Sequence, residues 1–162
     1  MEPMFKDLIS ILDEQKTVYS QLLDLSQQKQ KHLIKGDINS LNVVTKQEEV
    51  IIFKAGKLEE KRIACFKLLA EKYGFDEDTN LQDVISKVPD DVGSVLKEIC
   101  KEFPQILDKL RELNKENTRL IQQSLQFVNV TVDVINHQAK PTYNADKEVE
   151  IEKISKLFDR KV

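Results

Sequence analysis

One periodic seam constrains this chain more than any other feature. Val92, Leu96, Ile99, Phe103, Ile106, Leu110, Leu113, Asn117, Leu120, Ser124 and Phe127 follow one another at alternating steps of four and three. Such steps return side chains to one face of an α-helix, and a seam sustained this long marks a helix packed lengthwise on others. The predicted helix starts near Asp90 or Asp91 and runs to about His137, at 1.5 Å per residue a rod of roughly 70 Å. Within it, Leu110–Val128 carries two amides on the seam face, Asn114 and Asn117, where a purely structural coiled coil would place leucine. Two roles are open to them. They fix register inside the protein's own bundle, or they hydrogen-bond an incoming helix.

Two more long helices precede this one. Pro3 suits a first helical turn and Gly36 a left-handed stop, which bounds a helix over 3–35. Its Leu8, Ile11, Leu12, Val18, Tyr19, Leu22 and Leu25 form a stripe wide enough to touch two neighbours. Asp37 then caps a second helix that ends at Tyr73 before Gly74, and so short a connection folds it back antiparallel. Ile38, Leu41, Val44, Ile51, Ala55, Leu58, Phe66 and Leu69 mark its inner face. Gly56, inside this helix, costs roughly 1 kcal/mol relative to alanine and suggests either close helix approach or slight bending. Residues 75–91 hold six acids against one lysine and read as an acidic connector, with Thr79 capping a short helix that bears Leu81, Val84 and Ile85. Pro104 lies within the third long helix, where a kink or brief break is expected.

The run from Val128 to Val134 reads two ways. Val128, Val130, Val132 and Val134 alternate with Asn129, Thr131 and Asp133, a strand signature. The helical register also survives through Leu125, Val128, Val132 and Ile135, and no second strand exists to pair with, so helix is expected. Its β-branched residues are poor helix formers, and this end should fray unless a partner covers it. Beyond His137 the chain turns polar and Pro141 ends the helix. Residues 139–162 read as a flexible tail with an amphipathic island at Ile154, Leu157 and Phe158. The expected fold is thus all-α: an elongated antiparallel helical bundle or coiled coil of three long helices, with a short connector helix, over residues 1–138.

Few function classes survive the composition. A net charge of −3 opposes nucleic-acid binding, which needs a basic face. The opening MEPMFKDLIS has no apolar leader segment, and no run approaches the ~20 apolar residues that span a bilayer, so a cytoplasmic protein without stable membrane insertion is expected. Cys65 and Cys100 lack a CxxC spacing and fit buried, reduced thiols. His32 and His137 stand near helix ends, neither preceded by glutamate at the spacing of di-iron bundles. The four glycines are isolated, so there is no phosphate cradle. No active site, metal or cofactor is assigned.

Several segments together resemble a known family. LNKENTRLIQQSLQFVN resembles the signature of the FlgN family, the flagellar type III export chaperones for hook–filament junction proteins. The stretch LLDLSQQKQKHLIKGDINSLNVVTKQEEVII is similar to that family's first helix, turn and second helix, and KISKLFDRKV to the tail of many members. The resemblance implies a cytoplasmic helical chaperone that holds the C-terminal region of the hook-associated junction proteins, prevents their premature assembly and delivers them to the flagellar export gate. It also implies client contact through Asn117, Leu120, Ile121, Ser124, Leu125, Val128, Val132 and Ile135. The run FVNVTVDVI departs from the family in its wealth of β-branched residues. The alternative reading is a structural or tethering coiled coil that forms a homodimer through the third helix.

Overall fold

Two glycines set the main reversals of the chain. Gly36 and Gly74 take the left-handed conformation, at φ 69° and 68°, and each closes a long helix. After Gly36 the amide of Asp37 donates to the His32 carbonyl at 3.0 Å and that of Gly36 to Leu33 at 3.3 Å, which satisfies two carbonyls the helix end would leave open. Asp37 then caps the next helix, its Oδ1 accepting from the Ser40 amide at 3.0 Å. After Gly74 the Phe75 amide donates to the Ala70 carbonyl, and the Phe75 ring packs on Ala70 below it.

The computed structural model describes residues 2–76 and 79–139. They form four helices and, among the described residues, no strand: α1 (Pro3–Lys35), α2 (Ile38–Tyr73), α3 (Leu81–Lys87) and α4 (Asp90–Ala139). The all-α class and the three long helices agree with the periodicities. Two local expectations do not hold, at Thr79 and Ile38, and of the kink or brief break expected at Pro104 the break is absent. Asn80, not Thr79, caps α3, because its carboxamide oxygen reaches the Asp83 amide at 2.9 Å. Pro104 does not break α4. The turns on either side are anchored, Ile99 in the core and Phe103 edge-on against Tyr19, so packing outweighs the ~3 kcal/mol proline cost. Ile38 is exposed rather than inward, since it is the first residue of α2 and lies at the turn. The expected tail and its island at Ile154, Leu157 and Phe158 lie outside the described residues.

The chain divides into two compact units, residues 1–117 and 118–162. In the first, α1 lies between two partners. It is antiparallel to α2, as the pairs Gln15–Glu59 and Lys29–Glu48 require. It is parallel to the first part of α4, as Tyr19–Phe103 and Ser26–Asn114 require. Phe5, Leu8 and Leu12 of α1 meet Leu69 of α2 and Val92, Leu96 and Ile99 of α4 in the main core. Burying each large side chain there contributes roughly 1.5–3 kcal/mol. A second core joins Val18 to Ala55 and Leu58, and a third seats Val84 of α3 against Ala70 and Phe75. Gly56 has open space where a Cβ would stand, so close helix approach is not its role.

The described part of the second unit is the remainder of α4, to Ala139. The strand-like run Val128–Val134 is helical throughout. Its hydroxyls turn back on the helix: Ser124 Oγ donates to the Leu120 carbonyl at 3.0 Å and Thr131 Oγ1 to Phe127 at 2.9 Å.

Candidate functional site

The groups that could do covalent chemistry are scattered. Among the described residues, no group of three or more His, Cys, Asp or Glu is placed to hold a metal ion. His32 has its Nδ1 3.8 Å from Asp37 Oδ2, and His137 Nδ1 donates to the Asp133 carbonyl at 2.8 Å. Partial burial pushes both cysteine thiols up, with Asp7 adding to the effect at Cys65, so neither is an activated nucleophile. An open cavity of about 550 Å³ beside α1, α2 and the start of α3 offers Arg62, Lys67, Thr79 and Asn80 as polar groups, and these supply no general base.

A polar layer crosses the first unit instead. Glu48 is buried, and its carboxylate accepts from Lys29 Nζ at 2.6 Å and from Ser26 Oγ at 3.1 Å. The same hydroxyl lies 3.3 Å from Asn114 Oδ1. Asn117, only 3% exposed, donates from Nδ2 to the Ser26 carbonyl at 2.9 Å, while its Oδ1 has no hydrogen-bond partner. An orphaned buried acceptor costs about 1–3 kcal/mol, so this layer contributes register rather than stability. Of the two roles open to the seam amides, the structure places Asn117 in the internal one, tied to α1.

The other sequence-derived site residues stand together in the second unit. Ile121, Leu125, Val128, Val132 and Ile135 recur at steps of four and three and form one continuous row on α4. Ile121, Leu125, Val128 and Ile135 are exposed, Ile135 to 58%, and Val132 is half-buried. Leu120 and Ser124 flank the row. Leu120 is half-buried and Ser124 exposed, its hydroxyl already used within the helix. The row spans roughly 22 Å at 1.5 Å per residue. Asp133 is the one charged residue between Leu120 and Ile135, and amides at Gln122, Gln123, Gln126 and Asn129 supply the polarity.

One strong candidate was missed. Phe127 is 73% exposed, the most open large apolar side chain of α4. Its signal was present, because it closes the seam that begins at Val92. Val130 and Val134, both exposed, extend the apolar surface on its side of the helix. A run of exposed apolar groups with almost no charge is a surface suited to receive another helix.

A Bacillus subtilis (strain 168) protein named "Uncharacterized protein YvyG" is 26% identical over 159 residues, which is 96% of this chain and 98% of that protein. No solved structure matches the chain. Among the described residues no helix is long and apolar enough to cross a membrane. The family profile described as "FlgN protein" matches residues 1–151, which take in all four helices, and the chain belongs to the FlgN family of flagellar chaperones.

Proposed function

We propose that the chain binds the C-terminal helical region of flagellar hook-associated junction proteins on the α4 face from Leu120 to Ile135, keeps that region from assembling early, and delivers it to the flagellar export gate from the cytoplasm. The carrying observation is the exposure of Ile121, Leu125, Phe127, Val128 and Ile135 on a stretch of α4 whose one charge is Asp133. An amphipathic client helix laid along this face would seat its own i, i+3, i+4 anchors between these side chains. Micromolar to nanomolar binding needs a net ~8–12 kcal/mol, within reach of a standard interface after ordering costs. Release at the gate requires that the affinity not be extreme. The poor helix propensity of Val128, Val130, Thr131 and Val132 tempers it, since part of the binding energy goes into holding that stretch helical. Asn117, committed to Ser26, contributes indirectly by keeping the bundle in register.

The test is calorimetric titration of the chain with C-terminal segments of the junction proteins. One-to-one saturation with a negative heat-capacity change is expected. Leu120→Asp combined with Leu125→Asp should abolish the heat while the circular dichroism stays helical. Unchanged affinity in that variant would move the site elsewhere. Absence of binding together with concentration-dependent self-association would instead favour a homodimer built on the same face.

A further inference from the structure

A second uncovered surface lies in the first unit and differs in chemistry. Along α2, Val43, Val50, Phe53 and Leu68 are exposed, Val50 to 68% and Phe53 to 70%. Lys46, Lys54, Lys57 and Lys61 share their face. At 100° per residue all eight positions fall within a band of about 100°. The core positions Val44, Ala55, Leu58 and Leu69 point elsewhere, so this band is no continuation of the packed face. Lys57 lies 5.7 Å over the Phe53 ring and pairs with Glu60 at 3.0 Å, while Lys46, Lys54 and Lys61 are exposed.

Beside this band, α1 and α2 enclose an open groove of about 790 Å³. Half-buried Leu25 and Ile51 line it together with exposed Val43 and Val50. Its α1 side carries Gln21, Asp24 and Gln28, and its α2 side Lys46 and Gln47. An apolar-lined trough between two antiparallel helices, with amides along its margins, is the shape that accepts a further helix. The α1 margin sets exposed Lys31 about 20° from Asp24, whereas the α2 side carries the four lysines of the band, so α2 is the more basic margin and fixes the charge of that helix.

We propose that the α1–α2 groove docks an amphipathic helix of another protein whose flank toward α2 is acidic. Carboxylates there would meet Lys46, Lys54 and Lys61, and a single basic residue on the opposite flank would meet Asp24. The unequal margins set the rotation of the docked helix, because turning it over would place like charges together. An anionic membrane fits less well: a bilayer is flat and cannot reach Leu25 and Ile51, and Asp24 would repel it. A second copy of this chain fits less well too, since the exposed face of α4 carries Asp133 alone between Leu120 and Ile135. The site is separate from the proposed client face and does not depend on it.

The test uses fluorescence anisotropy with two synthetic three-heptad helices that share a leucine stripe, one flanked by glutamate and the other by lysine. The full chain should bind the glutamate peptide saturably and the lysine peptide at least tenfold more weakly. The triple variant K46E/K54E/K61E should lose at least tenfold, as should V43D/V50D, with the helical circular dichroism unchanged in both. Affinity should also fall at least tenfold between 0.05 and 0.5 M salt. Binding of junction-protein segments should stay as in the unaltered chain, which separates this site from the client face. Equal binding of the two peptides, or indifference to V43D/V50D, would overturn the proposal. Co-flotation with phosphatidylglycerol–phosphatidylcholine vesicles without peptide binding would overturn it in favour of a membrane surface.

Discussion

The two stretches of α4, before and after Asn117, carry one seam and meet opposite fates. Up to Asn117 every seam position is buried or half-buried, with Val92, Leu96 and Ile99 in the main core and Phe103 against Tyr19. After it, Leu120 is half-buried, Ser124 is exposed and Phe127 is largely bare. The heptad code is the same in both, so periodicity specifies which face of a helix seeks a partner and says nothing of whose partner it is. A seam satisfied within the chain builds stability. A seam left open offers the apolar surface on which the proposed client binding rests. The amide at Asn117, bonded to Ser26, is the last of the seam side chains buried in the first unit.

The sharpest way to break this comparison is to put the same charge into both halves. Leu96→Asp places an unpaired carboxylate in a fully buried site and should cost about 4 kcal/mol or more, read as a collapse of the urea midpoint. Leu125→Asp should leave that midpoint within about 0.5 kcal/mol and weaken the client by tenfold or more. If both variants unfold the chain, the second half of the seam is structural after all. Next in size is the polar contrast. Glu48→Ala leaves Lys29 and Ser26 without their shared acceptor and should destabilise by roughly 2–3 kcal/mol in thermal melts, whereas Ser124→Ala should be neutral.

Acid titration probes the first unit further. Arg62 chiefly, and Gln15 after it, hold the Glu59 carboxyl below its ordinary value. A carboxyl lowered in the folded state contributes stability above its unfolded value, about 4.3, and loses it as pH falls through the lowered one. The melting temperature should therefore drop below about pH 4. Because the pair is partly exposed, its share is at most about 1 kcal/mol. Glu59→Gln should flatten that limb of the profile, and an unaltered profile would assign the acid sensitivity to other groups. The smallest expected effect lies in the open half. Val130→Ala removes a poor helix former from an exposed position and should steady that stretch by about 0.5 kcal/mol, seen as slower amide exchange around it with no change in the global midpoint.

Most of the fold was legible because the signals are local. Proline at a first turn, glycine at a left-handed stop and aspartate at a cap each act within a few residues, and α1 and α2 end where those residues stand. The face of each helix was legible for the same reason, since Leu8, Val18, Leu22, Val44, Leu58 and Leu69 follow the helical period into the core. What escaped depends on contacts distant in the chain. The persistence of helix through Pro104 is decided by Tyr19 and the main core, and the internal role of Asn117 by the Ser26 carbonyl. The choice between Thr79 and Asn80 as cap turned on one residue of backbone phase, which composition cannot resolve. Phe127 shares the seam with Asn117, Leu120 and Ser124, onto which the family resemblance maps client contact, and it lies outside that mapped set; its 73% exposure is a property of packing that periodicity does not carry.

The alternating valines of α4 have a consequence for the protein before any partner arrives. Coiled into a helix, Val132 and Val134 donate their backbone N–H groups to the carbonyls of Val128 and Val130, four residues back. Melted, the same residues would make a flat, nearly uncharged strand with open edges, the type of segment that templates cross-β assembly. Asp133 is the single gatekeeper inside that run. The intact helix is thus a safeguard as well as the proposed docking face. Concentrated protein held warm and without client should lose soluble material through this segment first, and Asp133→Asn should hasten the loss.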